Sequence, residues 1–79
     1  MAIKISKVGG LVKVEDAQTE TSTYITTGAL SIRFKADQLI ISSEFLEDSV
    51  YALITDVQDG TGSPIGNAAA IAVYIDGLT

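Results

Sequence analysis

The chain has 79 residues, and 10 Asp and Glu against 5 Lys and Arg give it a formal net charge of −5 at pH 7. It contains no cysteine and no histidine, which excludes disulfides, thiolate nucleophiles, zinc–thiolate sites and histidine general bases. We therefore expect one small domain without enzymatic activity, bound cofactor or metal.

The apolar content is high for such a short chain. Hydrophobic residues make up 47% of it, and the mean hydropathy is +0.36. A chain of this length buries only about 60–65% of its unfolded surface, and no disulfide can stabilise it, so the excess predicts self-association. The longest apolar run, Ala68 to Ile75, is shorter than the roughly 18 residues of a membrane span. Residues 1–7 lack the continuous apolar segment of a secretory signal.

Charge is unevenly distributed along the chain. Five basic and three acidic residues give positions 1–35 a net charge of +2, whereas seven acidic and no basic residues give positions 36–79 a net charge of −7. This polarity could orient copies of the chain against one another, or it could be a solvated acidic face. The acidic balance and the 6% aromatic content argue against nucleic-acid binding.

The N-terminal segment predicts a β-hairpin. Apolar and polar residues alternate on both sides of Gly9-Gly10, a pair suited to a type I′ turn. One face of this hairpin should collect Ile3, Ile5, Val12 and Val14. The expected register pairs are Val8 with Leu11, Ile5 with Val14, and Lys4 with Glu15, the last an ion pair.

The middle of the chain predicts further β-structure. Residues 16–23 are polar and indicate a loop or an exposed edge segment. A second hairpin follows, for which we expect Phe34 opposite Leu39 and Ile32 opposite Ile41. This register leaves Ile40 beside Arg33, which indicates either a covered second face or an isolated surface isoleucine. The run Val50 to Ile54 predicts a strand that is buried on both sides.

A long glycine-rich segment, Asp56 to Gly66, could suggest a calcium site. Gln58 and Gly60 occupy the third and fifth positions, where an EF-hand loop has oxygen ligands. No Lys-Ser or Lys-Thr pair follows Gly60-Thr61-Gly62, so a phosphate loop is also disfavoured. We interpret the segment as a turn whose Asp and Gly residues suit its geometry.

The C-terminal segment predicts a helix, with Asn67 as the N-cap and Gly77 as the stop signal. Ile71, Tyr74, Ile75 and Leu78 fall on one face, and the opposite face is alanine and valine. A helix with almost no polar side must be enclosed, by further copies of the chain or, alternatively, by an intramolecular core that tolerates an alanine surface. The hypothetical oligomer interface comprises Ala68, Ile71, Ala72, Tyr74, Ile75 and Leu78.

These elements predict an α+β fold, mostly β, in which small antiparallel hairpins precede one C-terminal helix. The single domain, 1–79, would contain hairpins and strands in 1–58, a Gly-rich loop in 59–66 and a helix in 67–78. Such a unit fits a structural or assembly protein that acts as a symmetric homo-oligomer. The alternative is a small adhesion or protein-binding module.

The order of these segments also carries a resemblance. The Met-Ala-Ile-Lys-Ile hairpin, the segment Gly28 to Arg33, the loop Asp56 to Gly66 and the short terminal helix together resemble small virion-associated structural proteins of tailed bacteriophages. The resemblance implies a head-decoration, connector or tail-associated protein, trimeric or otherwise symmetric. Its partners would be further copies and other virion proteins, and its location the virion, or the host cytoplasm during assembly. It assigns no individual functional residues.

Overall fold

The computed structural model describes residues 2–79, so the predicted domain is described except for Met1. These residues form seven strands, two 3-10 turns and one helix. The strands are β1 (Ile3–Val8), β2 (Leu11–Asp16), β3 (Thr21–Thr26), β4 (Ser31–Lys35), β5 (Gln38–Ser42), β6 (Val50–Leu53) and β7 (Val57–Gln58); the helix is α1 (Ala68–Leu78), and the 3-10 turns are Thr27–Ala29 and Ile54–Asp56. The expected α+β, mostly β fold is confirmed.

The first sheet has the strand order β3-β2-β1-β7, in which β7 runs parallel to β1 and the other neighbours are antiparallel. The predicted register of the first hairpin is confirmed at every pair named above. Lys4 Nζ lies 3.5 Å from Glu15 Oε1 across the two strands. The buried face of the hairpin contains Ile3, Ile5, Val12 and Val14, as expected.

The turn of this hairpin differs from the prediction. Gly9 has a positive φ of 61°, whereas Gly10 is not among the residues with positive φ. A type I′ turn needs positive φ at both central residues, and a type II′ turn needs it at the first alone. The type I′ assignment is therefore wrong, and the signs of φ at the two glycines are those of a type II′ turn.

The second sheet has the order β4-β5-β6, antiparallel throughout, with the predicted register of β4 and β5. Ile40 lies between Arg33 and Tyr51 on the neighbouring strands, on the face of the sheet away from the core. Its side chain is only 3% exposed. The face is therefore covered at this position, and the reading of an isolated surface isoleucine is wrong.

Strand β6 is not buried on both sides, contrary to the prediction. It is the edge strand of the second sheet, and its outward face leaves Tyr51 54% and Leu53 42% exposed. Only Ala52 is buried in this strand. Apolar residues on both faces were a misleading signal here, because an edge strand with one uncovered face can carry the same composition.

Both sheets and the helix contribute to one core. Its buried members are Ile3, Ile5, Val12, Val14, Ile25, Leu39, Ile41, Ala52, Val57, Ile71 and Ile75.

The predicted N-cap of α1 is confirmed, since the Ala70 N–H donates to Asn67 Oδ1 at 2.8 Å. Gly77 does not end the helix; it lies inside it without a positive φ, and the end is capped at Thr79. Among the described residues, no helix is long and apolar enough to cross a membrane.

Because only Gly9 of the turn has a positive φ, alanine substitutions at Gly9 and Gly10 should affect stability differently. A Cβ added at either glycine would have no atom within 4 Å, so neither substitution causes a clash. Gly9→Ala should lower the free energy of unfolding by about 1 kcal/mol, because alanine resists positive φ. Gly10→Ala should be neutral or stabilising by up to about 1 kcal/mol, because it restricts the unfolded chain. Urea unfolding of both variants tests this, and equal destabilisation would contradict the assignment.

Candidate functional site

The outer surface of α1 has an apolar groove beside it, here called the α1 groove. Its volume is about 470 Å³, and it is lined by Leu30, Ile32, Ala72, Val73, Ile75, Asp76 and Thr79. Val73 is 74% exposed. Asp76 is the only charged residue in the helix, and it lines the groove together with Thr79 and five apolar residues. The groove is therefore mainly apolar, with a polar part at the C-terminal end of the helix.

The six residues of the predicted interface occupy different positions around the helix. Ile71 and Ile75 are buried in the core of the single chain, and Tyr74 and Leu78 are partly buried against it. Ala68 and Ala72 are half-buried. The chain therefore uses much of this set for its own core, and Ala72 and Ile75 also line the α1 groove.

Sequence reasoning missed the other wall of the groove. Leu30 immediately precedes β4 and Ile32 lies within it, about forty residues before the helix residues that they face, and no local pattern links the two segments. The sequence did indicate an exposed apolar position at Val73, because this residue falls on the alanine and valine face of the helix. On the helix, the exposed large apolar side chain is thus Val73, whereas Ile71 on the predicted face is buried.

The loop after β7 is organised around the carboxylate of Asp59. One oxygen, Oδ1, accepts hydrogen bonds from the Thr61 hydroxyl at 2.6 Å, the Thr61 N–H at 2.9 Å and the Ser63 N–H at 3.1 Å. These bonds, above all that from the Thr61 side chain, lower the pKa of Asp59 from its ordinary value. The geometry agrees with a turn held by its own side chains.

The same loop closes back on the end of β7. The Asp59 N–H donates to the Ser63 carbonyl at 2.9 Å, and the Ile65 N–H donates to the Val57 carbonyl at 3.1 Å. Pro64 forms an isolated bridge with Gln58. In residues 2–79, no group of three or more acidic side chains is placed to hold a metal ion.

The hydroxyl group of Tyr74 links this loop to the helix and the first sheet. It donates to the Ile5 carbonyl at 2.7 Å and accepts from the Gly60 N–H at 2.9 Å. Strand β7 pairs with β1 only at Ile3 and Lys4. Beyond these pairs, where the chain turns away from β1 after β7, the Tyr74 hydroxyl still connects the two segments. A Cβ on Gly60 would lie 3.4 Å from this hydroxyl.

Comparison of the chain with protein-family models, with curated proteins and with solved structures found no match.

The Tyr74 contacts predict a stability effect. Tyr74→Phe should lower the free energy of unfolding by about 1–2 kcal/mol, because the partly buried Ile5 carbonyl and the Gly60 N–H lose their shared partner. Tyr51→Phe is the matched control, since its ring is 54% exposed, and it should change stability by less than about 0.5 kcal/mol. Urea unfolding measures both, and equal effects would contradict the linking role.

Proposed function

We propose that this protein is a non-enzymatic structural protein that assembles as a homo-oligomer, and that it is a virion component of a tailed bacteriophage. The single observation that carries the assembly proposal is the exposed apolar surface of α1, with Val73 at its centre and the α1 groove beside it.

The single chain leaves one side of α1, including Ala69 and Val73, exposed. A surface helix normally presents polar residues opposite its buried stripe, but the sequence from Ala68 to Ile75 has no charged residue at all. Burial of apolar surface contributes about 25 cal/mol per Å². Contact between the α1 surfaces of two copies would remove this surface from water, which supports self-assembly.

The virion proposal rests on the resemblance described above, which implies a protein present in many symmetric copies. The uneven distribution of charge is compatible with this proposal, because segments with net charges of +2 and −7 can orient neighbouring copies of the chain. A protein-binding or adhesion module is the second candidate, and the concave shape of the α1 groove favours it, since another protein could insert a side chain there.

The assembly proposal predicts the effect of charge at Val73. Val73→Asp and Val73→Lys should both reduce the native mass towards that of one chain, because either charge would have to be desolvated in an apolar contact. Both variants should remain folded, because the side chain is 74% exposed. Light scattering at micromolar concentration measures the mass, and circular dichroism checks the fold.

Using both signs separates an apolar contact from an electrostatic one. Disruption by only one of the two charges would indicate pairing with a charged partner surface rather than apolar burial. A monodisperse, folded monomer formed by the unaltered chain at the same concentration would overturn the assembly proposal.

The virion proposal predicts the abundance of the chain in purified phage particles. It should be present in a high copy number that matches the symmetry of the head, connector or tail, because structural proteins occupy repeated positions. Quantitative mass spectrometry of the particles measures this number. Absence from particles, together with low-copy binding to another host or phage protein, would instead support the binding module.

A further inference from the structure

The free edges of the two sheets differ in how they are protected from pairing with another chain. Unprotected edge strands act as templates for added strands, and proteins usually protect them with charge, proline or short length. β7 has only two residues and has Pro64 beside it. β4 carries Arg33 and Lys35.

By contrast, β3 has none of these protective features. Its six residues, TSTYIT, include no charge, proline or glycine, and the strand lies at the edge of the first sheet. A six-residue strand is about 20 Å long, which is most of the 24–26 Å width of the molecule. β6 is also uncharged, but it has only four residues.

The hydrogen-bond pattern shows which backbone groups of β3 face outwards. The Thr27 N–H donates to the Gly10 carbonyl at 3.2 Å, in line with the antiparallel register of β2 and β3. Bonding directions alternate along an antiparallel pair, so the odd-numbered residues of β3 bond to β2. The N–H groups of Ser22, Tyr24 and Thr26 therefore point away from the sheet.

We infer that β3 pairs antiparallel with β3 of a second copy about a two-fold axis, so that the two first sheets become one continuous sheet. This inference rests on the self-assembly part of the proposed function and goes beyond it by naming a second contact surface. In a two-fold contact the same residues serve both copies, so Ser22 and Tyr24 of each chain face outward-pointing groups of the other.

Charge favours a second copy of β3 as the pairing strand, and it favours antiparallel pairing. A neutral strand has no side chain to attract a charged foreign peptide, whereas a second β3 is neutral and of equal length. Glu20 immediately precedes the strand. Parallel pairing would place the two Glu20 side chains together, which is unfavourable, whereas antiparallel pairing separates them by roughly the strand length of about 20 Å.

The neighbouring surface provides further contact area. Tyr24 is 51% exposed on the outer face of β3, and the two-fold axis brings the two Tyr24 rings onto the same face of the joined sheet. On the other face, a cleft of about 240 Å³ is lined in part by Thr21 and Thr23 of β3 and by Val50 and Tyr51 of β6.

Amide hydrogen exchange of the unaltered full chain tests the inference directly. At a concentration where light scattering shows assembly, the amides of Ser22 and Tyr24 should exchange at least about tenfold more slowly than in dilute monomer. The amides of Thr23 and Ile25, which bond within the chain, should be protected in both states. Rapid exchange at Ser22 and Tyr24 in the assembled protein would overturn the inference.

A substitution at the edge gives the second test. Tyr24→Pro removes an N–H that β2 does not use, and proline is accepted at such edge positions; it should abolish the protection of Ser22 and lower the assembled mass. Tyr24→Thr keeps the N–H and should retain that protection. Unchanged mass and Ser22 protection in folded Tyr24→Pro, checked by protected Thr23 and Ile25, would also overturn the inference.

The outcomes separate this inference from the proposed function. If the unaltered chain is monomeric, self-assembly fails and this contact fails with it. If it assembles and responds to Val73→Asp while Ser22 and Tyr24 exchange freely, only the β3 contact is wrong. If Tyr24→Pro does not fold, the exchange experiment on the unaltered chain still decides between these results.

Discussion

The hydroxyl group of Tyr74 is the point at which three separate parts of the chain meet. It donates to the Ile5 carbonyl of β1 and accepts from the Gly60 N–H of the loop after β7. This hydroxyl group therefore links helix α1 to the first sheet and to the loop. Burial of Ile71 and Ile75 in the core orients the same helix, and in this orientation Val73 lies outside the core.

Because of this arrangement, the apolar excess of the chain is only partly absorbed by its own fold. The core combines residues from both sheets and the helix. Large apolar side chains remain exposed at Val73 on α1 and also elsewhere, at Phe45, Tyr24 and Tyr51 among others. The two proposed contacts differ in chemistry: burial in the α1 groove is apolar and non-directional, whereas pairing at β3 uses oriented backbone groups. A two-fold contact alone closes after two copies, so a second, different contact is what would extend pairs into a larger symmetric assembly.

Local pattern was sufficient for the hairpins and the helix, because register and burial there depend on alternation over a few residues. Both hairpin registers and the Asn67 cap were predictable for this reason. The errors concern features that depend on distant segments or on fine backbone geometry: which side of β6 is covered, which glycine of the turn has positive φ, and the role of Gly77, which lies inside the helix instead of stopping it. The second wall of the α1 groove, at Leu30 and Ile32, had no local signal at all, and neither did the Tyr74 contacts, which join residues 69 and 14 positions apart.

The composition of β3 is consistent with a contact that forms and dissociates. Threonine and serine hydroxyls are well hydrated in the single chain, so the free edge does not present the continuous apolar surface of an aggregating strand. Edge pairing exchanges hydrogen bonds to water for bonds between chains, and the net gain per bond is only about 0.5–1.5 kcal/mol. Association also has an entropic cost of at least about 4 kcal/mol. The β3 contact should therefore be weak alone and should depend on simultaneous burial of the α1 surface, which makes assembly cooperative in the two surfaces.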